Sequence, residues 1–242
     1  MSLLNQALKS LLASVLPPRL FVVRGDRSRP VIHLTFDDGP HPEHTPRLLD
    51  ALREFDVRTT FFVVGIQAAS HPDLVRRIVA EGHALGNHSN FHREPPQTTA
   101  NSLLAEVLQT RDHLKKLTGR DVNLFRPPKG KLSASKLRAL WKADQTVVLW
   151  NVDSRDFALS ESQQLVRWAE SYRPAAGDIV LLHDNRPHAA GVVGAIVRRA
   201  VEFGLRRHPM PTEEDGGSRM DDGEMTAIAD QVSATKTSEV AP

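Results

Sequence analysis

The 242-residue chain contains no cysteine. Disulfides are therefore excluded, and any metal site has to be built from histidines and carboxylates. A chain without thiols works in either redox environment, so this absence leaves the compartment open. No run of 18 apolar residues occurs, which fits one soluble domain with a full-sized core rather than a membrane-spanning segment. No cluster of lysine and arginine is interleaved with aromatic residues, so nothing suggests a nucleic-acid track. The opening segment, MSLLNQALKSLLASVLPP, lacks a basic leader region and a clear cleavage site before Pro17-Pro18. It does not read as a signal peptide, and the expected location is cytoplasmic. No internal repeat is visible.

What is present begins with charge. The net charge is +2 at neutral pH, but it is unevenly spread. Residues 208–242 hold two basic and eight acidic side chains, so the first 207 residues carry 29 basic against 21 acidic groups, a net +8. A solvated surface rich in arginine accounts for that excess. In the opening segment Leu4, Ala7, Leu8, Leu11, Leu12, Val15 and Leu16 fall on one helical face that Pro17 would stop. This stripe is expected to cap the body of the domain, and membrane contact through it is the lesser alternative because the opposite face carries one cation.

Further along, β-branched apolar segments alternate with amphipathic ones. Strands are expected at Val31–Phe36, Thr59–Val64, Ala84–Asn87, Leu124–Arg126, Gln145–Val152 and Asp178–His183. Helices are expected at Thr45–Phe55, Pro72–Glu81, Ser102–Thr118, Ser133–Lys142, Ser160–Tyr172 and Gly191–Phe203. This alternation predicts parallel strands with helices outside, hence an α/β barrel or a doubly wound sheet. The expected organisation is an N-terminal helix and linker over 1–29, one domain over 30–207 and a polar, acidic, disordered tail over 208–242.

The residues with chemistry fall at or just past the carboxyl ends of these strands: Asp37 and Asp38, His88 and His92, Arg126, Asp153 and His183. In a parallel barrel the loops converge at that face, and a site is expected there. HSNFH (88–92) spaces two imidazoles so that both can reach one ion. Two histidines with one carboxylate suit a catalytic zinc or a related divalent ion. One acid of the pair 37–38 would then be a ligand and the other would stay free.

TFDDGP (35–40), HSNFH (88–92), FRPPKG (125–130), DSRDF (153–157) and LLHD (181–184) together resemble the five ordered motifs of the polysaccharide deacetylases, the NodB-homology or carbohydrate esterase family 4 group. The resemblance spans residues 30–205. It implies a distorted (β/α)7-type barrel, a relative of the TIM barrel, and metal-dependent removal of N-acetyl or O-acetyl groups from an acetylated carbohydrate such as chitooligosaccharide or peptidoglycan. It makes Asp38, His88 and His92 the ligands of one divalent ion, zinc before cobalt, manganese or nickel. It makes Asp37 the general base and His183 the general acid. Arg126 is expected to pair with Asp37 through both guanidinium arms, and Asp153 to accept from His183. Asp156 is left between supporting that network and capping a turn. The backbone N–H of Lys129 would meet the developing oxyanion, with Pro128 and Leu181 beside the substrate.

Two positions depart from the family pattern. Lys129 stands where an aromatic residue is frequent, so that wall of the cleft becomes cationic and would favour an acidic or phosphate-bearing substrate. Phe157 stands where tryptophan is usual, keeping an apolar ring without the indole N–H. A related hydrolase acting on a non-sugar amide, a formyl group or a lipid-linked precursor would share the same triad. A sugar-binding module without catalysis would have no reason to keep Asp37, Arg126, Asp153 and His183. His33 and His83 read as structural, His41 and His44 as solvent-facing, and Trp141, Trp150 and Trp168 as packing residues. Gly39-Pro40 reads as the sharp exit that leaves both acids at the mouth.

Overall fold

The computed structural model describes residues 13, 16–94, 97–159 and 161–211. Most of the expected N-terminal stripe and nearly all of the expected tail lie outside these residues. Among the described residues no helix is long and apolar enough to cross a membrane.

Every strand is parallel to its neighbours, as the alternating pattern predicts. The strands are β1 (Phe21–Val22), β2 (Val31–Asp37), β3 (Thr60–Val63), β4 (Ala84–Asn87), β5 (Leu124–Phe125), β6 (Thr146–Val148), β7 (Val152–Asp153), β8 (Ile179–His183) and β9 (Arg206–Arg207). Their order is β1-β6-β5-β4-β3-β2-β8-β7, and β9 joins the amino end of β2. The sheet curls until β1 comes up against the amino end of β8: Arg24 Nη2, just past β1, donates to Asp178 Oδ1 at 2.7 Å, just before β8. Gly25 N–H reaches Gly177 O at 2.8 Å on the same seam. The result is the distorted barrel that the family resemblance implies.

The strand side chains sort by parity. On β2, Ile32, Leu34 and Phe36 join the cluster packed beneath the helices, whereas His33, Thr35 and Asp37 occupy the other face. On β8, Val180 and Leu182 face the helices, and Ile179 joins Phe62, Leu124, Val148 and Met210 inside the barrel. A strand buried on both faces reads as a continuous apolar run, and β2 has no exposed residue. Its three polar interior residues therefore require partners, and they find them at three levels of the barrel.

The helices are α1 (His44–Glu54), α2 (Gly65–Ser70), α3 (Pro72–Ala80), α4 (Ala100–Thr118), α5 (Ala134–Trp141), α6 (Ser162–Ser171) and α7 (Ala189–Glu202). Helix α4 starts in a capping box, Thr99 Oγ1 accepting from Ser102 N–H, and ends at Gly119 with φ 74°. α1 and α6 flank α7, where Gly194 leaves room for the Phe55 ring. Gly86 serves the site directly: a Cβ there would lie 2.3 Å from the Phe62 ring.

Four features differ from the sequence reading. The run 145–152 is two strands, because β6 pairs with β1 and β5 while β7 has moved on to β8. α2 is too short for a periodic signal. β1 lies ahead of residue 30 and contributes to the sheet. Beyond residue 207, Met210 is buried in the barrel, its N–H donating to Thr60 Oγ1 at 2.8 Å. Residues 208–210 thus belong with the barrel rather than the polar tail, because its lower opening would otherwise expose Phe62 and Ile179.

Candidate active site at the carboxyl ends of the strands

Asp37 closes β2, in register with Phe62 on β3 and His183 on β8. Its carboxylate is buried, and Arg126 Nη1 donates to Oδ1 at 2.7 Å. Arg126 is itself fully buried at the end of β5, yet every arm of the guanidinium is occupied. Nη1 also donates to Thr35 Oγ1 at 2.7 Å, Nε to Val148 O at 3.3 Å and Nη2 to Leu149 O at 3.1 Å. Its Cζ lies 4.0 Å from the Phe62 ring centroid, and Gly86 leaves that ring its room. The expected two-armed grip on Asp37 is therefore a one-armed one, since the second arm anchors the crossing between β6 and β7.

Asp38 begins the turn with φ 79°, a conformation that a non-glycine residue holds only under constraint. Among the described residues, five of the seven non-glycine residues with positive φ lie in this ring of loops: Asp38, Ser89, His92, Lys129 and Arg155. The loop after β4 brings in the imidazoles. His88 Nε2 stands 3.4 Å and His92 Nε2 3.2 Å from Asp38 Oδ1, and the three ligand atoms lie within 4.8 Å of one another. His88 Nδ1 donates to Arg126 O at 2.7 Å, which leaves Nε2 free to face Asp38 and His92.

The donor set fits a divalent cation. Asp38 Oδ1 is buried and has no hydrogen-bond partner, although it faces two imidazoles. Burial alone would raise the Asp38 pKa, but His88, His183 and His92 outweigh it and hold the carboxyl well below its usual range. Burial pushes His88 down, and Asp37 and Asp38 reverse that and raise it. For His92 burial prevails, helped by His88, and the pKa falls.

The fourth element is His183, at the end of β8. Its Nδ1 bonds Asp156 Oδ1 at 2.7 Å, and its backbone N–H donates to Asp156 Oδ2 at 2.7 Å. Asp156, not Asp153, is therefore the partner of this histidine. Arg155 adopts φ 56° and turns the chain so that Asp156 is fully buried, while Asp153 stays half-buried and caps the turn by accepting from Arg155 N–H at 3.0 Å. Burial lowers the His183 pKa, but the bond to Asp156 and the charges of Asp156, Asp37 and Asp38 win and raise it to about 9. The Phe157 ring meets the imidazole edge-on at 5.7 Å and is half exposed, forming an apolar wall at the mouth.

Pro128, Lys129 and Gly130 form one tight helical turn after β5, with Lys129 at φ 55°. The Lys129 ammonium is already paired with Glu94, so its charge is not free as the sequence reading supposed. Pro128 is buried, and Leu181 is buried on the barrel side of β8 below His183. Two residues the sequence did not single out complete the site. Thr35 supports Arg126, and Asn185 Nδ2 donates to Asp38 Oδ2 at 3.2 Å. Neither stands out by spacing or residue type.

His33 and His83 make the structural contacts expected of them. His83 Nδ1 accepts from Thr59 N–H, and His33 bonds backbone carbonyls of 208 and 209. His41 and His44 stack at 4.3 Å beside the first turn of α1 rather than standing free in solvent.

A curled parallel barrel carrying this His-His-Asp cluster beside a paired acid and imidazole defines a hydrolase-type site. The chain belongs to the polysaccharide deacetylase family, whose model matches residues 24–148. It is 33% identical over 170 residues to a peptidoglycan-N-acetylglucosamine deacetylase of Bacillus cereus, covering 69% of this chain and 79% of the relative. It is 36% identical over 168 residues to a chitooligosaccharide deacetylase of Sinorhizobium fredii, covering 69% and 77%. Among solved structures, a family 4 carbohydrate esterase from Streptomyces lividans in complex with acetate superposes with a TM-score of 0.70 at 31% identity, covering 79% of this chain and 98% of that one. A peptidoglycan N-acetylglucosamine deacetylase in complex with an N-hydroxybenzamide superposes with a TM-score of 0.75 at 26% identity, covering 79% and 91%.

Proposed function

We propose that this protein is a metal-dependent deacetylase that removes N-acetyl, or O-acetyl, groups from a carbohydrate of the chitooligosaccharide or peptidoglycan kind. The observation that carries the reading is the buried, unpartnered Asp38 Oδ1 facing His88 and His92, flanked by Asp37 on Arg126 and His183 on Asp156. One structural relative is in complex with an N-hydroxybenzamide, a class of compound that chelates divalent metals, which is in keeping with this reading. Asp38, His88 and His92 would hold the ion, zinc by the donor set. When bound, it supplies Lewis acidity toward the acetyl carbonyl and a water of lowered pKa.

The residues of the chain do the rest. Asp37 is not one of the three ligands, and Arg126 holds it by Oδ1, so it can take the proton of the attacking water. The Lys129 N–H would stabilise the oxyanion as the tetrahedral centre forms. His183 has Nδ1 committed to Asp156, which leaves Nε2 to protonate the departing nitrogen as the C–N bond breaks. Acetate and a free amine result. Phe157 would contact the apolar face of the sugar ring.

The test is acetate release from chitooligosaccharides, peptidoglycan fragments, acetylated xylan and small amides, with and without a chelator. Release from a glycan that is abolished by chelation and restored by zinc is expected. Release from small amides alone would reject the carbohydrate reading.

A further inference from the structure

Three consecutive residues leaving β8 meet the three residues leaving β2. His183 is in register with Asp37. Asp184 N–H donates to Asp37 O at 3.1 Å and extends that pairing, while its buried carboxyl lies against Gly39. A Cβ at Gly39 would come within 2.0 Å of Asp184 Oδ2, so only glycine leaves the carboxyl its seat. Thr45 Oγ1, in the first turn of α1, donates to the same oxygen at 2.6 Å. Asn185 then reaches across, and its Nδ2 donates to Asp38 Oδ2 at 3.2 Å.

The consequence falls on Asp38, whose backbone is held at φ 79°. A carboxylate at a metal site can bind through one oxygen or both. Here Oδ2 is taken by an amide N–H, and Oδ1 is the buried, unpartnered oxygen facing His88 Nε2 and His92 Nε2. We infer that Asn185, seated by Asp184 and Thr45, is the positioning residue that fixes Asp38 as a one-oxygen ligand. The inference rests on the metal-dependent reading above. Outer partners of metal ligands commonly set affinity by orienting the ligand in advance, and their loss typically costs about 10–100-fold.

The test titrates zinc into the full chain in competition with a chromophoric chelator, and records the visible absorption of the cobalt-substituted protein. Two variants are compared with the parent: Asn185→Ala, and Asn185→Leu, which keeps the volume without the donor. Zinc affinity weakened roughly 10–100-fold in both, with a changed cobalt spectrum, is expected. Affinities within about threefold of the parent and an unaltered cobalt spectrum, while the parent binds one zinc, would overturn this assignment and leave the metal-dependent reading intact. A parent that binds no zinc or cobalt would overturn both.

Discussion

Asp38 and Asp178 are two carboxylates at opposite ends of one barrel, and their surroundings differ in kind. Asp178, at the lower end, accepts from Arg24 Nη2 and Asn151 Nδ2 on one oxygen, and from Tyr172 Oη and Ala175 N–H on the other, all between 2.7 and 2.9 Å. His33 on the same level bonds two backbone carbonyls, and Met210 fills the space between the strands. At the upper end Asp38 Oδ1, Asp184 Oδ1 and Asn185 Oδ1 are buried with no partner. Burying a polar atom without a hydrogen bond costs about 1–3 kcal/mol. At the lower end both oxygens of Asp178 are satisfied, and the network seals the seam of the sheet. The upper end keeps such an atom where a cation would satisfy it.

The contrast can be broken from either end. The largest effect belongs to Asp37→Asn, which keeps the shape but loses the base. Acetate release should fall by about 10²–10⁴-fold while zinc content, measured on the purified protein, stays at the parent level. Equal turnover would refute the assignment of Asp37. At the other end, Asp178→Ala leaves Arg24, Asn151 and Tyr172 without their acceptor. A loss of about 3 kcal/mol in urea unfolding is expected, with turnover per folded molecule retained. A variant as stable as the parent would mean that the seam does not depend on this network.

Asp156→Asn acts between these extremes. His183 must carry its proton to act as an acid, so activity should fall as pH rises past its pKa. With the carboxylate gone that pKa drops from about 9 toward 6.5, and the alkaline limb of the rate profile should move down by about one to two pH units. Because the folded pKa is raised, the pair also stabilises the fold fully below pH 6.5, and its contribution is lost as pH rises through about 9. An unmoved alkaline limb would assign the acid elsewhere. The smallest effect concerns Glu94→Gln, which releases the Lys129 ammonium at the rim. The KM for a carboxylate-bearing glycan should fall about two- to fivefold, with little change for a neutral one. The same change for both would remove charge from the reasons for choosing lysine here.

The sequence made the upper end more legible than the lower one, for a physical reason. Residues that bind or react are few in type and sit next to strand ends, so TFDDGP and HSNFH declare themselves locally. The choice between Asp153 and Asp156 was not local. It depends on Arg155 entering the left-handed region and turning the second acid, not the first, under His183. The Lys129–Glu94 pair joins two different loops and carries no pattern along the chain. The lower seam brings together residues 24, 151, 172 and 178, none of them within a motif. The break between β6 and β7 was also hidden, because Gln145–Val152 reads as one extended run and the change of partner strand divides it.

The pairing of Asp37 with His183 across β2 and β8 has a consequence for how the site tolerates change. Neighbouring strands in a sheet stand about 4.8 Å apart, so the backbone itself acts as the ruler between the proposed base and acid. Side chains alternate with a period of two, so a slip of one residue would not merely widen this gap. It would carry His183 to the helix side and bring Leu182 or Asp184 inward. Insertions near these strands are therefore all-or-nothing events: either a loop absorbs them and the reacting pair is untouched, or the register moves and the pair is gone.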